Sequence, residues 1–146
     1  MDCLACGIGL PHVAKKFLNP DTLPAWQAFS QVVITHEPTK VIYISGQVAV
    51  DRDKRVIGAG DLRGQALQAF QNLEAAITAA RATVADVVKL NIYVKDYEPT
   101  DAPLIHEALR KHFPQKTLPA TTWLGVQALA QENFLIEVDA ILAVER

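Results

Sequence analysis

The spacing of apolar and polar residues changes period several times along this chain, and each change marks an element. Over 134–144 the even positions (Phe134, Ile136, Val138, Ala140, Leu142, Val144) are all apolar, while the odd ones include Glu137 and Asp139. A period of two predicts a strand with one buried face, and it puts Glu137 on the less buried one. A strand beginning near Pro119 precedes it, across a loop of about ten residues. Upstream, the β-branched run 31–35 and the longer stretch 40–50 (KVIYISGQVAV) read as strands separated by a turn at 36–39. Gly46 lies inside the second of these, where glycine marks a bulge or a close approach to the backbone.

A charged turn at 51–55 and a short returning strand at Val56-Ile57 lead to Gly58-Ala59-Gly60, which breaks the chain before a helix. Leu62, Ala66, Ala69, Phe70, Leu73, Ala76, Ile77 and Ala80 then recur at three- and four-residue spacing, with Asp61 as N-cap. That pattern predicts an amphipathic helix of about twenty residues. A strand follows at 87–94, and a second helix, capped by Thr100 or Asp101, carries Leu104, Ile105, Ala108, Leu109 and His112 until Pro114 stops it.

The predicted order is β-β-(β)-α-β-α-β-β, an α+β plan in which two helices cover one face of a mixed sheet. On the same alternation the other face carries Tyr43, Trp123, Leu135 and Ile141, and an apolar sheet face predicts self-association. The first 26 residues contain three prolines and no sustained period, so 1–24 is expected to be an N-terminal arm and 25–146 a single domain.

Composition narrows the function. Among 146 residues half are hydrophobic and 21% charged, with a net charge of −2, a globular balance without the clustered Lys and Arg that phosphate backbones require. No apolar segment approaches the roughly 20 residues needed to span a bilayer, and the N-terminus lacks the charge and apolar run of a signal peptide, so a cytoplasmic location is expected. Cys3 and Cys6 have the spacing of half a zinc site, but zinc takes four ligands and the chain has only these two cysteines. Gly58, Gly60 and Gly64 precede a helix without the buried parallel strand of a phosphate loop, so they read as turn residues. His36, His106 and His112 read as solvated or core-edge groups. No metal or organic cofactor is expected. Glu137 remains, either a solvated edge carboxylate or a general acid or base in a subunit cleft.

FSQVV at 29–33, VIYISGQ at 41–47, QNLEAAI at 71–77, DVVKLNIYVKD at 86–96, LPATTW at 118–123 and LIEVDAI at 135–141 together resemble the RidA/YjgF family, also known as endoribonuclease L-PSP, in order and spacing. The resemblance implies a chorismate-mutase-like fold, a homotrimer with clefts between subunits, and hydrolysis of reactive 2-imino acids to keto acids and ammonia. It implies Glu137 as the group assisting water, Gly46 as a backbone contact, Phe29 at the position of a common tyrosine, and Thr121 where a Pro-Ala-Arg motif carries the arginine that holds the substrate carboxylate. Trp123 would make the same cleft more apolar. A threonine hydroxyl cannot replace the planar fork of an arginine, so the expected substrate is a small neutral or amine-bearing molecule with an imine-like bond. The alternatives are a non-catalytic trimeric ligand-binding protein and, with less support from charge, a ribonuclease.

Overall fold

A computed structural model describes residues 15–24, 26, 28–37 and 40–144. Cys3 and Cys6 lie outside the described residues. The elements are β1 (Lys16–Leu18), β2 (Val32–Ile34), β3 (Lys40–Val48), α1 (Leu62–Ala79), β4 (Val87–Lys95), α2 (Ala102–His112), β5 (Ala120–Val126) and β6 (Ile136–Val144). β3 to β6 form a mixed four-stranded sheet in the order β3-β6-β4-β5, with β4 and β5 parallel and the other neighbours antiparallel. β1 and β2 pair separately as an antiparallel ribbon. The alternation did not predict β1, which is too short to show a period. The expected strand at Val56-Ile57 reduces to a single bridge between Val50 and Val56. Asp51 Oδ1 accepts the backbone N–H groups of Asp53 and Arg55 there, which takes donors away from any longer pairing.

Both helices cover one face. α1 turns Ala66, Ala69, Phe70, Leu73 and Ile77 onto Leu90, Ile92 and Val94 of β4 and onto Ile136, Val138, Ala140 and Leu142 of β6, and α2 closes the layer with Ile105, Ala108 and Leu109. Asp61 holds the N-cap position of α1 with extended backbone, but its carboxylate makes no capping bond. Asp101 holds the N-cap position of α2, one of the two residues the sequence pattern offers, and likewise makes no capping bond to that helix. A 3-10 turn, Pro99–Asp101, runs directly into α2, and Asp101 Oδ2 accepts the N–H of Glu98. An ion pair between Arg63 and Glu107 joins the outer surfaces of the two helices, Nε to Oε2 at 3.0 Å.

One strand differs from the alternation. The parallel pairing places Thr121 beside Leu90 and Trp123 beside Ile92, so both stand on the helix-covered side. Trp123 packs against the core there, rather than joining Tyr43 and Ile141 on the open face. A strand's own sequence fixes which of its residues share a face, but only its neighbour fixes which face that is.

Candidate functional site

The open face is built from alternate residues of β3, β6 and β4. In β3 the register with β6 shifts between Ile44 and Gln47, a bulge that contains Gly46. A Cβ at Gly46 would overlap the Glu137 carboxylate, so only glycine lets that side chain lie over the bulged backbone. Glu137 is half-buried, and among the described residues its carboxylate takes no hydrogen bond. It lies opposite Val48 on one side and Tyr93 on the other.

Two side-chain amides set this geometry from the core side. Gln65, fully buried on the first turn of α1, donates to the carbonyls of Gly58 and Asn133 at 3.2 and 2.9 Å and accepts the N–H of Leu135 at 2.9 Å. It thereby fixes the chain two residues before Glu137. Asn72 donates to the carbonyls of Val48 and Val50, each at 2.9 Å, and fixes the end of β3 beyond the bulge.

Further along the open face the row becomes polar. Asn91 donates to Asp139 Oδ1 at 2.7 Å, and the Lys89 ammonium donates to Thr122 Oγ1 at 2.5 Å. Burial first, and then the carboxylates of Asp139 and Glu137, push the Tyr93 phenol above its ordinary value of 10.0. Tyr93 therefore stays a neutral hydrogen-bond donor across the physiological range, beside two carboxylates.

The remaining candidate residues lie elsewhere. Phe29 and Trp123 line a cavity of about 530 Å³ closed by Trp26 and by the first turns of α2, where Pro103 and His106 contribute. Phe29 stacks on Trp26 at 6.2 Å, and Trp123 meets Tyr97 edge-on at 5.8 Å. Among the described residues the buried Trp123 Nε1–H has no acceptor. Thr121 spends its hydroxyl proton on the carbonyl of Pro119 at 3.1 Å. One chain therefore brings Gly46 to Glu137 and Phe29 to Trp123, but it holds the two pairs on opposite sides of the sheet.

Sequence reasoning did not single out Trp26 or Tyr93, and it read His106 as a solvated or core-edge group. The three-residue step from Pro103 to His106 places both on one helix face, but their neighbour across the gap comes from the N-terminal segment, which shows no period. Among the described residues no group of three His, Cys, Asp or Glu side chains is placed to hold a metal ion, and no helix is long and apolar enough to cross a membrane.

Comparison with known proteins gives a consistent result. The family model described as endoribonuclease L-PSP matches residues 20–144. The chain is 33% identical over 104 residues to a 2-iminobutanoate/2-iminopropanoate deaminase of Dermatophagoides farinae, covering 71% of this chain and 78% of that protein. It is 30% identical over 133 residues to the protein of the same name from Rattus norvegicus, covering 90% and 92%. Among solved structures, the Rid-family protein YyfB of Yersinia pestis, itself described as of unknown function, superposes with a TM-score of 0.84 at 31% identity, over 89% of this chain and 98% of that one. RidA from an Antarctic Psychrobacter superposes with a TM-score of 0.63 at 27% identity, over 88% and 99%.

Proposed function

The chain belongs to the endoribonuclease L-PSP family, the RidA/YjgF proteins, and from that premise we propose that it is a homotrimeric hydrolase of small imines, with its site completed between subunits. The observation that carries this reading is the unbonded Glu137 carboxylate lying over the bare backbone of Gly46 on a face that helices leave open. In the proposed cleft, Glu137 and Gly46 of one copy face Thr121, Phe29 and Trp123 of the next. Two observations support a shared site. The two residue pairs cannot converge within one chain, and the open face exposes Val41, Tyr43 and Leu124 by 46%, 77% and 46%.

Glu137 takes a proton from water as the oxygen adds to the imine carbon. That proton passes to the nitrogen to give a carbinolamine; its hydroxyl then loses a proton and its nitrogen gains one, so the carbon–nitrogen bond breaks as the carbonyl forms and ammonia or an amine leaves. Tyr93, neutral and next to Glu137 across the strands, supplies a donor on the same row. Thr121 in place of an arginine leaves the cleft without a fork for a carboxylate, so the proposed substrates are neutral or amine-bearing imines rather than 2-imino acids. Two of the named relatives are 2-iminobutanoate/2-iminopropanoate deaminases, which share the reaction class with this reading and differ from it in substrate charge.

The test is release of ammonia or amine from freshly generated 2-iminobutyrate and from a neutral ketimine, using wild type, Thr121→Arg and Glu137→Ala. The expected result is turnover of the neutral imine by wild type, loss of roughly a hundredfold or more in Glu137→Ala, and 2-iminobutyrate turnover appearing in Thr121→Arg. Rapid wild-type turnover of 2-iminobutyrate would show that another group holds the carboxylate. No turnover of either substrate by any form would favour ligand binding without catalysis.

A further inference from the structure

A second cavity, of about 480 Å³, lies next to the first, with Trp26 and Phe29 lining both. Its apolar wall is aromatic: Phe17 on β1 joins Trp26 and Phe29. Besides Ser30 and Thr117, its polar lining includes three nitrogen-bearing side chains from separate stretches of chain, Asn19 after β1, Arg110 in the last turn of α2 and Lys116 in the connection to β5. All three present donors. Asn19 Oδ1 is already occupied by the N–H of Gln31 at 2.9 Å, so its amide NH2 is what it has left to offer. Among the described residues neither Arg110 nor Lys116 makes an ion pair, and the one bond of Arg110 is a long contact of 3.4 Å to the carbonyl of Gln115. Among the described residues no carboxylate lines the cavity.

A basic side chain at the end of a helix is ordinary, because it offsets the helix dipole, and that accounts for Arg110 alone. It does not account for Lys116 and Asn19, which converge on the same space from outside the helix. We propose that this cavity binds a small aromatic carboxylate, its ring against Phe17, Trp26 and Phe29 and its carboxylate on Arg110 and Lys116, with Asn19 as a further donor. The volume lies within the range of roughly 300–1,000 Å³ typical of small-molecule sites. Guanidinium and ammonium groups bind carboxylates through charge-assisted bonds, and aromatic rings prefer offset or edge contacts with other rings. The assignment does not depend on what Glu137 does.

Isothermal titration with phenylacetate tests it, with 2-phenylethanol, acetate and inorganic phosphate as comparison probes. The expected result is binding of phenylacetate, with each comparison probe weaker by about tenfold or more, since each lacks either the charge or the ring. Arg110→Gln and Lys116→Gln should each weaken phenylacetate by about tenfold, while Glu137→Gln leaves it unchanged. Both cations are exposed, so the variants should fold as wild type, and circular dichroism checks this. Phenylacetate affinity unchanged in the double variant, 2-phenylethanol or phosphate binding as tightly as phenylacetate, or no binding of phenylacetate by wild type would each overturn the proposal.

Discussion

The two faces of the four-stranded sheet are written by alternate residues of the same strands, and they have little else in common. On the covered face, Leu90, Ile92, Val94, Ile136, Val138, Ala140 and Leu142 are at most 1% exposed. On the open face, Lys89, Asn91, Tyr93, Glu137 and Asp139 are only partly buried and carry charge or hydrogen-bonding groups. The covered face has the uniformity of a core, where each side chain is exchangeable for another of similar volume. The open face depends on individual atoms: a missing Cβ at Gly46, and a phenol held neutral by burial and by two carboxylates. Substitutions should therefore act on stability when they fall on one face and on chemistry when they fall on the other.

The largest effect is expected from Phe70→Ala. Phe70 is fully buried and packs edge-on against Phe113 at 6.2 Å, so its truncation should cost about 3–5 kcal/mol in urea denaturation. A cost below about 1 kcal/mol would mean that the covered face is not the stability core. Gly46→Ala comes next. The new methyl meets only the Glu137 side chain, which is half-buried and unbonded and can swing aside, so stability should fall by no more than about 1 kcal/mol, while activity should be lost in the folded protein. Ser45→Ala, one residue away, should change neither, and equal damage from it would break the distinction.

Tyr93→Phe is a subtler probe. The folded phenol is held above its ordinary value, so the folded state keeps its proton to higher pH than the unfolded chain does. That contribution is present below about pH 10 and is lost as pH rises through the folded value. Ultraviolet titration should show the last tyrosinate to form disappearing in the variant, together with part of the alkaline fall in stability. If the last component survives, Tyr93 is not the phenol that its surroundings hold protonated. The smallest effect belongs to Arg63→Ala. The guanidinium is held above and the Glu107 carboxyl below their ordinary values, chiefly by their mutual hydrogen bond. Both side chains are about half exposed, at 54% and 48%, so the thermal midpoint should move within experimental scatter.

Much of the covered face is legible in sequence because burial imposes a period. The even positions of 134–144 and the stripe from Leu62 to Ile77 on α1 lie where the alternation puts them. The bulge at Gly46 is legible as well, because glycine inside a strand has few other uses. Trp123 marks the limit. Its parity within β5 is plain, but the side of the sheet it occupies depends on pairing with β4. The second cavity was not legible at all, since Asn19, Trp26, Arg110 and Lys116 are brought together by tertiary packing and share no spacing. β1 is similar: three residues show no period, and the ribbon with β2 gives them their conformation.

The position of β6 also bears on how the protein is made. This strand follows all the others in the chain, yet it lies between β3 and β4. While the ribosome is still adding residues before 136, β3 has no partner within the sheet, and β4 can pair only with β5. The nascent chain therefore displays two unfilled strand edges and an uncovered apolar helix stripe until its closing strand emerges, a state open to chaperones and to unwanted pairing. Loss of residues 136–144 would accordingly leave the sheet without its centre, whereas loss of an edge strand would only narrow it.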